Sequence, residues 1–151
     1  MEEKRTEELN HILEGMKPSQ INHYLRENSS EMRDEKKSFY YFFKDTLAKK
    51  RIRLSDVYVT ANVSESYGGQ IIRMEKHTKN RDLIIRLCIG GHFTWHETSR
   101  ALKLYGLNEL YSRNPRDVCI ICALNDRIFD PYRINTLLLE EGQSLLAMDE
   151  A

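Results

Sequence analysis

The chain has 151 residues, and equal numbers of acidic and basic side chains give it a formal net charge of zero. A hydrophobic fraction of 40% and a charged fraction of 30% are ordinary for a soluble globular protein. No apolar run approaches the roughly 20 residues that span a bilayer. We expect no secretion signal, because the start MEEKRTEEL lacks the apolar segment that such a signal requires. Three cysteines without disulfide spacing favour a reducing compartment, so we expect a cytoplasmic protein with no membrane partner.

The charge is unevenly distributed along the chain. Residues 38–127 hold 15 basic and 9 acidic side chains, whereas the segments on either side are acidic. The middle of the chain is therefore suited to contact a polyanion although the whole chain is neutral.

The first 37 residues predict a helical segment followed by a linker. Apolar residues recur at helical spacing in TEELNHILEGM, and a Pro-Ser pair begins a second helix in KPSQINHYLREN. The run ENSSEMRDEKK is polar and typical of a connection. We divide the remainder into a domain at 38–112 and C-terminal helices at 113–151, which either pack on that domain or form a dimer surface.

Helix-start signals recur from residue 38 onwards. Ser38 is expected to cap the aromatic helix SFYYFFKDTLAKK, and Asn80 to cap RDLIIRLCI, which glycines 90 and 91 would end. A capping box in TWHE precedes TSRALKLY, and Asx-Pro pairs precede VCIICAL and YRINTLLL. Because no long period-two alternation occurs, we predict an all-α fold.

The stretch LSDVYVTANVSESYGGQIIRM (54–74) predicts two short helices joined by a tight turn. Asn62 would take the left-handed backbone of the turn, and Ser64 would cap a second helix that runs from Glu65 to about residue 74. The residues expected to point inward are Val57, Ala61, Val63 and Ile71. The two helices can also be placed further along the chain, so that Glu65 lies in the turn and Ser66 takes the buried position after it. That placement would bury less suitable residues.

The adjacent glycines of this second helix do not form a phosphate-binding loop. A P-loop follows a strand and continues into Lys-Ser/Thr, and the sequence YGGQIIRMEK offers neither feature.

These segments together resemble the phage repressor and Cro family of helix-turn-helix regulators, the xenobiotic-response-element type. The resemblance covers residues 38–112: the aromatic helix, the pair at 54–74, NRDLIIRLCIGGHF and TWHETSRALKLYGLNELY. RNPRDVCIICALN and INTLLLEEG look like a C-terminal section found in some members. The resemblance implies a repressor-like five-helix domain in a bacterial transcription regulator without a cofactor. It would bind double-stranded DNA, by default as a homodimer.

Two positions depart from the pattern of that family. The first helix carries Tyr58 where a small residue is usual, and the second carries Gly68 where an aliphatic residue is usual. We interpret this as a size exchange in which the Tyr58 ring fills the space above Gly68, so that Gly68→Leu would overpack the core.

The resemblance implies that the second helix enters the major groove of DNA. Gln70 would read adenine, Arg73 would read guanine or hold a phosphate, and Gly69 would permit close approach to the duplex. The expected DNA-binding residues are Ser64, Glu65, Ser66, Tyr67, Gln70, Arg73, Lys76, His77, Lys79 and Arg81. A second basic cluster, KKRIR at 49–53, would hold phosphates on the other side. The alternative is an ordinary solvated helix face.

Three other functions were weighed against DNA binding. A helix-turn-helix fold that binds a protein partner as an adaptor is favoured by the zero net charge and by Glu65 in the second helix. A zinc site at Cys119 and Cys122 lacks convincing further ligands, so these cysteines are interpreted as buried apolar residues. No nucleophile–base pair is evident, and we expect no enzyme; Asp82 and Asp117 are interpreted as acids that stabilise helix dipoles.

Overall fold

The computed structural model describes residues 2–33 and 35–149, and over these residues the chain is all-α, as the sequence predicts. Three short 3-10 turns connect the helices of the first 37 residues. The α-helices of the described chain are α1 (Glu2–Leu13), α2 (Ile21–Glu27), α3 (Ser38–Lys50), α4 (Leu54–Ala61), α5 (Glu65–Ile72), α6 (Arg81–Gly90), α7 (Trp95–Tyr105), α8 (Pro115–Asn125) and α9 (Pro131–Glu140). The chain divides into two compact units, residues 1–35 and 36–151.

The first unit contains α1 and α2, which the side chain of Arg5 links. The Arg5 guanidinium donates hydrogen bonds to Glu8 at 2.9 Å and to the Asn28 side chain at 3.3 Å. It also lies 3.3 Å from the Glu31 carboxylate. Tyr24 is the buried aromatic residue of this unit. These contacts tie α1 to the C-terminal end of α2 and to the turn that follows it.

The second unit is built around one hydrophobic cluster to which every helix from α3 to α9 contributes. Representative members are Phe43, Val57, Ile71, Leu87, Leu102, Ile120 and Ile134, all of which have no exposed side-chain surface. Because Ile120 and Ile134 belong to α8 and α9, the C-terminal helices pack on the rest of this unit. A role of these helices in a dimer surface stays a prediction.

Most helix starts follow the predicted capping pattern. The side chain of Asn80 accepts the Leu83 N–H at 3.1 Å, and Thr94 forms a reciprocal capping box with Glu97. Asn114 and Asp130 cap α8 and α9, with proline in the first turn of each. The prediction for Ser38 is wrong, because α3 begins one residue earlier than expected: Lys37 is the N-cap and Ser38 is already helical.

Helix α6 ends at Gly90 with Gly91 as its C-cap, as predicted, but neither glycine takes a left-handed conformation. Gly91 has φ −85°, and the left-handed conformation falls on His92, with φ +58°. A Cβ atom on Gly90 would lie 2.7 Å from the Val57 carbonyl oxygen of α4. A side chain at this position is excluded because the two backbones pass so close, and this contact explains the glycine.

The first turns of α6 and α8 are joined by two ion pairs that cross between them. Each first turn contains an Arg-Asp pair: Arg81 binds Asp117 through two hydrogen bonds of 3.0 and 2.9 Å. Arg116 binds Asp82 through two of the same lengths. Asp82 and Asp117 lie in first turns, as predicted. The structure adds their arginine partners on the other helix.

These contacts also change the acidity of Asp82. Burial alone would raise the pKa of its carboxyl. Hydrogen bonds from Arg116 and from the Ala147 N–H outweigh that effect, and the pKa lies below its ordinary value.

Residues 143–149, here termed the C-terminal strap, run back across the helices and are held mainly through their backbone. Asn135 makes two hydrogen bonds with the backbone of Leu146, at 2.7 and 3.3 Å. Arg116 donates to the carbonyls of Ser144 and Leu145, each at 2.9 Å. The end of the strap is held by the fully buried Arg86. Its guanidinium donates to the carbonyls of Ala61 at 2.7 Å, Met148 at 3.1 Å and Asp149.

Candidate nucleic-acid interface

Helices α4 and α5 are joined by a tight turn with the predicted geometry. Asn62 ends α4 in the left-handed conformation, with φ 58° and ψ 49°. Val63 is buried, and the Ser64 hydroxyl accepts the Tyr67 N–H at 3.2 Å to cap α5. Ser66 is exposed, which excludes the placement of the two helices further along the chain, in which it would be buried. All four residues predicted to point inward are buried: Val57, Ala61, Val63 and Ile71.

The size exchange between Tyr58 and Gly68 is confirmed. A Cβ atom on Gly68 would lie 2.8 Å from both Cδ1 and Cε1 of the Tyr58 ring, and 3.1 Å from Cγ1 of Val63. These distances leave no space for a side chain, because the ring occupies it. Tyr58 is 7% exposed, and its burial raises the pKa of its phenol, an effect that the nearby Arg73 charge opposes.

Gly69 does not present an open surface, which corrects its predicted role. The residue is buried, and a Cβ atom added to it would lie 2.7 Å from Nη1 of Arg73. Helix α5 ends at Ile72, two residues earlier than expected, so Arg73 caps the helix and its side chain folds back over Gly69. The backbone of α5 is therefore covered at this position by an arginine of its own segment.

The Arg73 guanidinium is also held by a carboxylate. It donates hydrogen bonds to Glu75 at 2.9 and 3.4 Å. The side-chain hydrogen bond raises the pKa of Arg73 and lowers that of Glu75. Both groups are exposed, so water and salt weaken the pair, and a phosphate oxygen can compete for the arginine.

The outer face of α5 is polar. Ser64, Glu65 and Ser66 are exposed at its start. Gln70 is half-buried one turn further on, and Tyr67 is half-buried against the hydrophobic core. Side chains able to form hydrogen bonds with base edges thus share the first two turns of this short helix.

The loop after α5 is fixed against α7. The His77 ring stacks on the Tyr105 ring with centroids 4.6 Å apart and planes 6° apart. The Thr78 N–H donates to the Tyr105 hydroxyl at 2.9 Å. With these two residues anchored, the exposed side chains of Lys76 and Lys79 project from an ordered loop next to the C-terminal end of α5.

Arg81 is placed differently from the other basic residues of this segment. Its guanidinium binds both carboxylate oxygens of Asp117 and donates to the carbonyls of Asn108 and Glu109, each at 3.0 Å. All four bonds join Arg81 to other parts of the same unit, and they hold α6, α8 and the segment between α7 and α8 together. The structure therefore commits Arg81 to packing and does not bring it into the exposed basic group.

The cluster KKRIR lies at the other end of α3 from the loop after α5. Phe39, in the first turn of α3, packs edge-on against Tyr105, with centroids 4.9 Å apart, and Tyr105 carries His77. The 13 residues of α3 make a helix about 20 Å long, and KKRIR starts in its last turn. Within KKRIR, Lys50 pairs with Glu97 at 2.9 Å and Arg53 with Asp56 at 3.3 Å.

Two further residues lie beside this surface that were not predicted from the sequence, Lys37 and Tyr40. The charge of Lys37 contributes to the lowered pKa of Glu75, and Tyr40 lies close enough to act on the pKa values of Tyr58 and Arg73. Lys37 is the N-cap of α3 and Tyr40 lies in its first turn. For Lys37 the sequence does offer a signal, since Lys36 and Lys37 directly precede the aromatic helix, within the run 27–37 interpreted as a linker.

The cysteines do not form a common site. Cys88 is fully buried, and burial raises the pKa of its thiol, whereas Cys119 is half-buried and Cys122 exposed. The interpretation of Cys122 as a buried apolar residue is therefore wrong, because that side of α8 faces solvent. In the part of the chain that the structure describes, no three His, Cys, Asp or Glu side chains converge as a metal site requires.

Among the helices of residues 2–33 and 35–149, each is too short or too polar to cross a lipid bilayer. Comparisons with known proteins find no matching family model, no matching curated protein and no matching solved structure.

Proposed function

We propose that this chain is a cytoplasmic, sequence-specific DNA-binding regulator that places α5 in the major groove. The observation that carries the proposal is the α4–α5 pair. Its turn is fixed by Asn62 in the left-handed conformation, and its second helix is capped by Ser64 and polar on the outside. A helix held in this way by a packed partner can be inserted into a groove as a rigid element.

The proposal assigns different tasks to the surrounding residues. Exposed Lys76 and Lys79 contact phosphates and supply most of the affinity. Ser66 and Gln70 contact base edges. Glu65 disfavours bases that present only hydrogen-bond acceptors in the major groove. Arg73 leaves Glu75 for a phosphate or a guanine when DNA is bound. Arg81 has no role in this interface because its hydrogen bonds are internal.

The test is the salt dependence of binding to a random-sequence DNA duplex, measured by fluorescence anisotropy. Affinity should fall steeply between about 50 and 200 mM salt, because each phosphate contact releases counterions. The double variant Lys76→Ala/Lys79→Ala should reduce the slope of log Kd against log salt by about 2, one for each lost phosphate contact.

The matched control removes two exposed positive charges elsewhere. Arg113→Ala/Arg133→Ala changes the net charge by the same amount at exposed positions before α8 and on α9. Its slope should equal that of the unchanged chain. Equal loss in both double variants would show attraction by net charge alone and would refute the assigned interface.

A second candidate function is a protein-interaction module with the same fold. The pairing of Arg73 with Glu75 favours it, since the cation best placed for base readout already has an anionic partner. Exposed Glu65 at the start of α5 repels phosphate and favours it further. No DNA binding at about 50 mM salt would select this function, because electrostatic binding is strongest there.

A further inference from the structure

We propose that the second unit contains a peptide-binding groove, filled by the C-terminal strap of its own chain, and that the filled groove holds the turn between α4 and α5 in place. The ligand class is an extended peptide with a leucine at the position of Leu146. The inference rests on the proposed function in one respect, because the turn presents the helix that is assigned to the major groove.

The groove binds the strap through its backbone, which is a common way for a protein to recognise an extended peptide. Asp82 of α6 accepts the Ala147 N–H at 2.9 Å. Asn135 of α9 accepts the Leu146 N–H and donates to the Leu146 carbonyl. The side chains that bind the strap backbone come from several parts of the unit: Asn62, Asp82, Arg86, Arg116 and Asn135.

Leu146 is the apolar anchor of the strap. It is 2% exposed and belongs to the core, whereas the neighbouring Leu145 is 46% exposed. Ala147 and Asp149 are exposed and Met148 is half-buried, so the side chains alternate between groove and solvent, as in an extended segment. Such a groove selects a peptide by its leucine and accepts varied side chains at the exposed positions.

The filled groove is connected directly to the turn between α4 and α5. The side chain of Asn62, the left-handed residue of the turn, donates to the Met148 carbonyl at 3.2 Å. Arg86 donates to the carbonyl of Ala61, the last residue of α4, at 2.7 Å and to the carbonyls of Met148 and Asp149. A carbonyl at the end of a helix has no partner within that helix. The same guanidinium therefore satisfies the end of α4 and binds the strap.

Release of the strap changes the surroundings of Arg86. This side chain is fully buried, and a buried charge requires polar partners. Without the strap carbonyls, water enters and competes with the Ala61 carbonyl for the guanidinium. The turn then loses the Asn62 hydrogen bond and its fixed contact with Arg86, so the orientation of α5 relative to α4 is less restricted.

The strap can leave the groove without unfolding of the unit. Its attachment depends on the buried Leu146 side chain and on hydrogen bonds that water can replace. Segments with few buried apolar contacts open at a lower free energy than the core beneath them. Helix α7, by contrast, contributes the fully buried Ala101 and Leu102 to that core, so its amides report opening of the whole unit.

Amide hydrogen exchange of the full chain, measured residue by residue by NMR, tests the connection. Leu146→Asp places a charge at the anchor and should release the strap. Exchange at the Asn62 and Val63 amides, which donate to α4 carbonyls, should then rise about 10- to 100-fold, the factor for one or two lost hydrogen bonds. The Leu102 amide should keep its rate. The matched control Leu145→Asp adds the same charge at an exposed position and should leave all these rates unchanged.

A second variant and a peptide distinguish a binding groove from ordinary packing. Asn135→Ala removes two hydrogen bonds to the Leu146 backbone but keeps the leucine, and it should accelerate exchange at the turn in the same way, though less. The synthetic peptide GQSLLAMD, residues 142–149, should restore slow exchange in the Leu146→Asp chain. About 1 mM is needed, because a flexible peptide loses conformational entropy on binding. The same peptide with aspartate in place of Leu146 should have no effect.

The outcomes separate this inference from the proposed function. Unchanged exchange at the turn in Leu146→Asp and Asn135→Ala overturns the inference. Faster exchange throughout α7 in both variants also overturns it, since the strap would then be an ordinary part of the core. Failure of the peptide to restore slow exchange overturns the binding groove. Restoration by the peptide, without salt-dependent DNA binding of the unchanged chain, keeps the inference and refutes the proposed function.

DNA binding supplies a last measurement. The Kd of Leu146→Asp for the duplex should be about 10-fold above that of Leu145→Asp, because a smaller fraction of the chains holds α5 in its binding orientation. The two variants carry the same net charge, so attraction by charge alone cannot produce this difference. Equal Kd values would overturn the control of α5 by the strap.

Discussion

The two adjacent glycines of α5 allow a sharp test of how α4 and α5 pack. Replacing either glycine with alanine removes the same helix-propensity cost, about 0.5–1 kcal/mol. The two sites differ in what the new methyl group meets. At Gly68 it meets the buried Tyr58 ring at 2.8 Å, whereas at Gly69 it meets only the guanidinium of exposed Arg73. The ring has nowhere to move, but the arginine can swing into solvent.

The expected effects therefore have opposite signs. Gly69→Ala should stabilise the chain by about 0.5–1 kcal/mol. Gly68→Ala gains the same amount but overpacks the core, at a cost of about 1–3 kcal/mol. When the free energies of unfolding of the two variants are subtracted, the gain in helix propensity that they share cancels. The difference is then the overpacking cost at Gly68.

Urea unfolding followed by Trp95 fluorescence measures this difference in the second unit, since the chain has one tryptophan. With a typical urea m value, the two midpoints should lie about 1 M apart. In the Tyr58→Leu background the difference should shrink to a few tenths of a kcal/mol, because the shorter side chain leaves room for the methyl group. Equal stability of Gly68→Ala and Gly69→Ala in the unchanged background would refute the size exchange.

Three further predictions concern contacts elsewhere in the second unit. Arg86→Met should cost about 3 kcal/mol in urea unfolding, because buried carbonyls that hold the C-terminal strap lose their donor. Ser64→Ala should cost about 1 kcal/mol in the same assay, as expected for a lost N-cap, and a neutral result would mean that α5 does not depend on it. The lowered pKa of Asp82 adds stability that is complete above its unfolded pKa, near 4, and is lost as the pH falls through its folded pKa. Asp82→Asn should flatten that part of a pH–stability curve, and an unchanged acid slope would contradict the assignment.

The sequence was most informative where a short stretch determines its own structure, although the cap predicted at Ser38 was wrong. The turn at Asn62, the cap at Ser64 and the capping box at Thr94 depend on residues three or four positions apart, and all were predicted. The Tyr58–Gly68 contact was also predictable, because the order of the two helices leaves few ways for their facing residues to meet.

Contacts between distant residues could not be predicted in this way. Arg81 was expected at the DNA surface, but it pairs with Asp117, 36 positions later in the chain. A sequence does not distinguish an arginine that stays exposed from one that forms an ion pair, because the packing of the helices determines which residues become partners. The same holds for Gly90, whose close neighbour Val57 lies on another helix.

The two crossed ion pairs between α6 and α8 affect how the starts of these helices unfold locally. A helix start usually frays by itself, because its first turn has few internal hydrogen bonds. Here each first turn supplies the cation that the other needs, through Arg81 and Arg116. If either turn unwinds, it leaves a carboxylate of the other without its partner. The two helix starts should therefore exchange their amide hydrogens together, as one cooperative unit, although 34 to 36 residues separate them along the chain.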